Sequence, residues 1–557
     1  MARTVSIGEQ DFEELITRND FYVDKTFFIK EWWESDDKVT LITRPRRFGK
    51  TLNMSMLERF FNIEHKGKEQ VFEELCIWGE EKYRELQGAY PVLFLSFATV
   101  KADNYPDARE QIFQVLEDVY TKYAFLKRAG ILEENEKKFF ERIGKDMSNS
   151  DAARSIYQLA GYLYRYYGKK VIILLDEYDT PLQEAYVGGY WGELVSLIRA
   201  LFNATFKTNP YLERAVLTGI TRVSKESLFS DLNNLNVVSV ISGEYASCFG
   251  FTEEEVFAAM DEFGMANKDE VKRWYDGFTI GDLRDIYNPW SVTCFLDKGQ
   301  LKPYWANTSS NGLISSLLRE GSRNIKMQFE KLLQGQPIVE EIDEEVIFEQ
   351  LDREENAIWS LLLSSGYLKV IGIQEGSYEL ELTNYEVRKV FGNMVKNWFG
   401  RDSANYNDFI KSLLAGDIGA MNDYMAEVAN SMFSFFDGGN KPSSRTAPER
   451  FYHGFVLGLL VGLSGRYVVT SNRESGFGRY DVMLKPLRQE DDGIILEFKI
   501  YNPKKEASLE ETVQAALSQI EEKRYEQVLL SEGIPKERIR KYGFAFRGKE
   551  VLIGEVN

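Results

Sequence analysis

Val39-Thr40-Leu41-Ile42-Thr43-Arg44-Pro45-Arg46-Arg47-Phe48-Gly49-Lys50-Thr51-Leu52-Asn53-Met54-Ser55-Met56-Leu57-Glu58-Arg59-Phe60 decides how the rest of the chain is read. Val39 to Thr43 is an apolar, β-rich run. A tight basic turn follows. Gly49-Lys50-Thr51 then opens a stretch whose apolar residues Leu52, Met56, Leu57 and Phe60 recur at helical spacing. Strand, turn, Gly-Lys-Thr and helix make the layout of a phosphate-binding loop. Backbone N–H groups at the helix start face the anion, and the helix dipole favours negative charge there. In such a layout Lys50 reaches the β- and γ-phosphates and the Thr51 hydroxyl holds Mg2+.

One position departs from the usual pattern. The place of the first loop glycine is taken by Arg44, and Pro45 beside it has no N–H to donate. With Arg46 and Arg47 before Gly49, the cradle is stiffer and more cationic than a glycine-rich loop. An ordinary basic turn between a strand and a helix is the competing reading of this segment alone.

The chain has 557 residues, enough for two to four domains. Hydrophobic residues are 44% and charged residues 28%, which are ordinary globular values. No run of 18 apolar residues suggests a membrane helix, and Met1 to Glu9 has no apolar signal core. Cys76, Cys248 and Cys294 are too far apart to suggest a disulfide framework or a zinc site, and they fit a reducing cytoplasm. Net charge is −19, so contact with nucleic acid must come from local basic patches. His65 and His453 are the two histidines, which turns the search towards carboxylate and lysine chemistry.

Before the basic turn, two short amphipathic helices are expected around Phe12-Leu15-Ile16 and Phe28-Ile29-Trp32-Trp33, with Asp24-Lys25-Thr26 read as an N-cap. After it come a buried strand over Tyr90 to Phe97 and helices over about 106–168. The apolar run Val171 to Leu175 then delivers Asp176 and Glu177 at the end of a buried parallel strand, the edge where α/β sheets bind ligands. Asp176 suits the Mg2+ shell, and Glu177 suits orienting or activating an attacking water. Arg214 to Arg222 is a further strand. Thr218 or Thr221 could sense a γ-phosphate, and Arg222 could contact it or pair with a surface carboxylate.

Gly8 to Phe12, Tyr22 to Thr26, Arg44 to Thr51, Leu175 to Asp179 and Leu217 to Arg222 together resemble the AAA-ATPase-like family of bacterial proteins. Trp274-Tyr275-Asp276-Gly277, Tyr287-Asn288-Pro289-Trp290-Ser291 and Tyr304-Trp305-Ala306-Asn307-Thr308 extend the resemblance. It implies that arginine in place of the first loop glycine is the family's own habit. Read as residues, these aromatic clusters are turns pinned by rings against a core, in a lid over the nucleotide.

From 310 to 440, helices are expected around Ile314 to Leu333 and Ala357 to Ser365, with a strand pair from Leu368 to Leu382. Asp343 to Glu355 reads as a solvated acidic face, and Asp437 to Ser444, rich in Gly, Pro and Ser, as a linker. The expected domains are therefore a nucleotide module at 1–270, a mostly helical middle at 271–440 and a further α/β domain at 441–557.

That last domain carries a second chemical centre. A helix from Glu449 to Leu463 precedes a strand at Tyr467 to Thr470. Asp481 then stands before Val482-Met483-Leu484, and Glu497 and Lys499 lie on Ile494 to Lys499. Alternation places Glu497 and Lys499 on one face, and Asp481 converges with them if the strands pair. Two carboxylates are hard oxygen ligands for Mg2+, and Lys499 can position water or neutralise developing charge. A surface hairpin with a Glu-X-Lys ion pair is the plain alternative. The residues resemble the PD-(D/E)XK nuclease superfamily. The resemblance implies a restriction-endonuclease-like fold, an acidic residue on the first helix at Glu449, and a Gln and Tyr at Gln519 and Tyr525. Glu474 is a further candidate.

The combined expectation is an α/β protein. A P-loop NTPase-like parallel sheet binds ATP through Arg46, Arg47, Gly49, Lys50, Thr51, Asp176 and Arg222, with Glu177 acting on water. A nuclease uses Asp481, Glu497, Lys499 and Glu449. Mg2+ sits on Thr51 and Asp176 and on Asp481 and Glu497. Nucleic acid, DNA first, is the expected partner, without membrane, and an oligomer is compatible with this reading. The alternative is a non-catalytic nucleotide-dependent switch, or a nucleic-acid binder with an inactive nuclease fold.

Overall fold

The computed structural model describes residues 3–222, 228–229, 232–305, 312–343, 351, 354, 356–374, 376–398, 406–436, 456, 460, 463, 466–471, 474–475, 478–479, 481–488, 490–547 and 550–555. The chain divides into two compact units. One is Met1–Ile325 with Pro337–Val387, and the other is Lys326–Gln336 with Arg388–Asn557.

The first unit is built on five parallel strands: β1 (Val39–Thr43), β2 (Val92–Ser96), β3 (Val171–Asp176), β4 (Leu212–Gly219) and β5 (Leu235–Val238). Their order across the sheet is β2-β3-β4-β1-β5. Every residue of β1 and β3 is buried, which is why both read as unbroken apolar runs rather than as alternation. On one face, Val39, Leu41, Ile173, Leu175, Ala215 and Leu217 join the cores of the helices Tyr105–Lys122, Asn149–Tyr167 and Trp191–Phe206. On the other, Trp32 of the helix Phe27–Ser35 donates to Thr40 at 3.3 Å. Local signals set the connections. Ser148 accepts from the Asp151 N–H to start the Asn149–Tyr167 helix, and Gly168, with φ 66°, ends it three residues before β3.

Asp24 differs from its expected role. The N-cap of the Phe27–Ser35 helix is Thr26, and Asp24 instead accepts from the N–H and hydroxyl of Thr26 and from the N–H of Cys76. It ties this segment to the start of the short helix Cys76–Gly79 instead of capping Phe27–Ser35.

Beyond the parallel sheet lie two small antiparallel sheets. β6 (Phe251–Thr252), β7 (Phe278–Ile280) and β8 (Leu283–Tyr287) form one. β9 (Ile338–Glu340), β10 (Leu368–Gln374) and β11 (Ser377–Leu382) form the other, with β10 and β11 paired as expected. The aromatic clusters are less turn-like than their composition suggests. Trp274 and Tyr275 close the helix Lys268–Tyr275, and Asn288 caps Pro289–Lys298 by accepting from the N–H groups of Trp290 and Ser291. The helix expected over 314–333 is two, Gly312–Glu320 and Arg323–Leu333. Ser322 accepts from the N–H groups of Asn324 and Ile325, so a new helix starts there.

The second unit carries β12 (Tyr467–Ser471), the hairpin β13 (Glu474–Ser475) and β14 (Gly478–Arg479), β15 (Val482–Pro486), β16 (Gly493–Ile500), β17 (Ile539–Arg547) and β18 (Glu550–Glu555). The main sheet has the order β12-β15-β16-β17-β18 and is mixed: β16 and β17 are parallel and the other pairs antiparallel. Ile494, Leu496 and Phe498 pack with Phe409, Leu413 and Met421 on one face. Ile495 packs with Val513, Leu517 and Ile520 of the helix Leu509–Glu522 on the other. Alternation therefore sends Glu497 and Lys499 towards the Leu509–Glu522 helix. Among the described residues, no helix is long and apolar enough to cross a membrane.

Candidate functional site

The turn after β1 is shaped by two left-handed residues, Arg47 (φ 63°) and Gly49 (φ 81°), the second preceding the helix Lys50–Phe61. Arg44, at the position of the usual first loop glycine, is fully buried. Its guanidinium donates to the carbonyls of Thr43 (3.1 Å), Ser239 and Glu244 (2.8 Å), and its N–H donates to Gly219. Burial lowers its pKa to about 10. Arg44 is thus an internal brace between β1, β4 and the segment after β5.

Lys50 is buried too. Its Nζ folds back on the carbonyls of Arg44 and Pro45, each at 2.9 Å. Burial pulls its pKa down, opposed by Glu177, Asp176 and Asp179. Thr51 Oγ1 donates to Asp176 Oδ2 at 2.7 Å, and Thr218 donates to the other oxygen. Glu177, in the left-handed region at φ 52°, accepts from the Thr180 hydroxyl at 3.2 Å. β1, β3 and β4 therefore bring Lys50, Thr51, Asp176 and Glu177 to one edge of the sheet. Thr218 and Thr221, considered as phosphate sensors, have hydroxyls bonded to Asp176 and Asp179. Arg222 is half-buried, just past that turn.

Two residues that sequence reasoning did not assign hold this edge. Asp179 accepts from the N–H groups of Ile220 and Thr221 at 2.9 Å. Asn288 donates to the Arg46 carbonyl at 3.2 Å while Arg47 lies over the Trp290 ring at 4.2 Å. The signal for Asn288 was present: Asn before Pro is a helix-start pattern.

In the second unit, β15 and β16 pair with Val482 opposite Leu496, so Asp481 arrives beside Glu497. The Phe498 N–H donates to Asp481 Oδ2 at 2.8 Å, and the Asp481 N–H reaches Glu497 Oε2 at 3.4 Å. Gln519 then bridges the pair on β16. Its Nε2 donates to Glu497, and its Oε1 accepts from Lys499 Nζ at 2.7 Å. Tyr525 OH lies 3.2 Å from the same Nε2. Glu497 is 2% exposed, and burial, with Asp481 as neighbour, pushes its pKa to about 8. Asp481, Glu497, Lys499, Gln519 and Tyr525 thus form one cluster. Glu449, His453 and the side chain of Glu474 lie outside the described residues. Among the described residues, no group of three or more His, Cys, Asp or Glu side chains is gathered as a metal cage.

Residues 6–229 match the AAA-ATPase-like family, described as a predicted AAA-ATPase, and residues 447–556 match the PD-(D/E)XK nuclease superfamily. The chain joins an AAA-ATPase-like domain to a PD-(D/E)XK nuclease superfamily domain. It is also similar to an uncharacterized protein in the vnfD 5′ region of Azotobacter chroococcum mcd 1. The two are 28% identical over 394 residues, covering 69% of this chain and 68% of that one. Each cluster described above falls within one of the two matched domains: Lys50, Thr51, Asp176 and Glu177 in the first, Asp481, Glu497 and Lys499 in the second.

Proposed function

We propose that the AAA-ATPase-like domain binds and hydrolyses ATP with Mg2+ at a P-loop formed by Arg44 to Thr51, and that this controls a Mg2+-dependent nuclease in the C-terminal domain. We place the nucleotide module at 1–270, a lid-bearing middle at 271–440 and the nuclease at 441–557. Free thiols at Cys76, Cys248 and Cys294 suit a reducing bacterial cytoplasm.

The observation that carries the nuclease is the Gln519 bridge, which gathers a carboxylate and a lysine from one strand face onto the Asp481 pair. The donor set fits a hard divalent cation. Burial, and then the neighbouring Asp481 carboxylate, pushes the Glu497 pKa up to about 8, a cost a cation would relieve. A bound Mg2+ supplies an activated water and charge stabilisation. Asp481 and Glu497 would hold it. Lys499, fixed by Gln519, stands ready to steer the water or neutralise charge on the scissile phosphate. Glu449 is proposed as a further acid. The substrate is nucleic acid, DNA before RNA.

The nucleotide site fits its ligand in the same sense. Lys50 Nζ is a buried ammonium resting on two loop carbonyls, placed to turn to the phosphates of ATP. Thr51 and Asp176 form the pair that would hold Mg2+, with Arg46, Arg47 and Arg222 as anchors and Glu177 orienting water.

Labelled single- and double-stranded DNA and RNA are incubated with the full chain and Mg2+, with and without ATP. Cleavage that is lost in Lys499→Ala, and that responds to ATP only while Lys50 is intact, is the expected result. ATP binding without cleavage of any substrate would overturn the nuclease and favour a nucleotide-dependent switch.

A further inference from the structure

We infer that Gln183 is a positioning residue for ATP: resting on the ATP-binding reading above, it couples Arg46 of the basic turn to the Gly219–Arg222 turn beyond β4 and so sets the Arg46 guanidinium for the triphosphate end. Gln183 lies on the helix Thr180–Gly188, which starts just after β3. Its Oε1 accepts from Arg46 Nη2 at 3.2 Å, and its Nε2 donates to Asp179 Oδ2 at 3.1 Å. The same Asp179 oxygen accepts from the N–H groups of Ile220 and Thr221 at 2.9 Å and from the Thr221 hydroxyl at 3.0 Å.

An amide suits this place chemically. One end accepts from a cation and the other donates to an anion, so guanidinium and carboxylate are joined without neutralising each other. Arg46 keeps its full charge for a phosphate. The far end of the relay is seated firmly. A Cβ on Gly219 would stand 2.6 Å from the Tyr178 ring and 2.8 Å from Asp179, and Tyr178 OH donates to the Thr221 carbonyl at 2.7 Å. Movement of Arg46 is thereby tied to the turn that carries Arg222, on the side where Glu177 stands. In the proposed site that side faces the γ-phosphate. Gln183 therefore matters more for ATP than for ADP.

The full chain is titrated calorimetrically with ATP and ADP as wild type, Gln183→Met, Arg46→Ala, the double variant, Gln183→Glu and Lys50→Ala. Met keeps the length and lacks both bonds, while Glu keeps an acceptor for Arg46 but brings a neutralising charge and has no donor for Asp179. Gln183→Met is expected to weaken ATP about tenfold and ADP less than threefold. It adds nothing in the Arg46→Ala background, Gln183→Glu weakens ATP at least as much because its carboxylate pairs with Arg46 and repels Asp179, and nucleotide-free melting falls only slightly because three other donors remain on Asp179. Additive losses, equal losses for ATP and ADP, or no loss while Lys50→Ala abolishes binding would overturn the coupling and leave the ATP site standing. Wild-type affinity in Lys50→Ala would overturn both.

Discussion

Thr51 Oγ1 donates to Asp176 Oδ2 at 2.7 Å, linking the start of the Lys50–Phe61 helix to the end of β3. The second Asp176 oxygen accepts from Thr218 on β4. The carboxylate is 1% exposed, so each donor replaces water it has lost. Thr218→Val keeps the side-chain shape and removes one donor. Leaving that oxygen unmatched costs about 1–3 kcal/mol. Urea unfolding should show a lower midpoint for the transition of the first unit at an unchanged slope. An unchanged midpoint would mean the bond contributes nothing to the folded sheet edge.

Glu497 predicts a pH dependence of opposite sense to the common one for carboxylates. Its folded pKa is raised from 4.5 to about 8, chiefly by burial and then by Asp481. Between those values the native state keeps a proton that the unfolded chain has released. Stability therefore falls as pH rises through that window, by at most about 1.4 kcal/mol per pH unit. Glu497→Gln has no proton to lose. Without divalent metal, its unfolding free energy should decline less than wild type between pH 5 and pH 8. Parallel declines would show that Glu497 titrates normally.

Gln519 favours the Glu497 anion by donating to it, against burial and Asp481. Gln519→Leu removes that help and leaves Lys499 without its acceptor. A cation binds the ionised carboxylate, so Mn2+ affinity of Gln519→Leu should be weaker than wild type at pH 7, with the gap closing by about pH 9. Calorimetric titration at the two pH values reads this directly. A gap that does not change with pH would make Gln519 a packing residue. Lys499→Ala should reduce cleavage about 100-fold or more.

The legible parts were those in which local pattern and tertiary demand coincide. β1 and β3 are buried on both faces, so their apolar runs and the polar residues at their ends could be read without knowing what covers them. Glu497 and Lys499 shared a face by alternation alone, and Gln519 came from the superfamily pattern. What stayed hidden were contacts across long sequence separation. Asn288 to Arg46, and the knot of Thr51 and Thr218 on Asp176, depend on where the chain returns, and periodicity carries no such signal. The Trp274 and Trp290 clusters misled because Gly and Pro beside aromatic rings suggest turns. Here Gly277 follows a helix and Pro289 starts one.

Arg44 gives the sharpest contrast between motif and structure. By pattern it is a misplaced residue where phosphate loops carry glycine. By geometry it is a brace, one of the largest fully buried side chains, donating to carbonyls on β1, after β5 and at Glu244. Arg44→Gly would look like a repair. It should instead leave a void and several buried carbonyls without donors, costing roughly 2–5 kcal/mol. Arg44→Lys should recover little, since one ammonium on a flexible stem does not reproduce a planar fork. Both variants should lower the melting transition of the first unit, and Arg44→Gly should not improve ATP affinity. If the glycine variant melted as wild type and bound ATP more tightly, the guanidinium would be a defect in the loop and not the group that holds its shape.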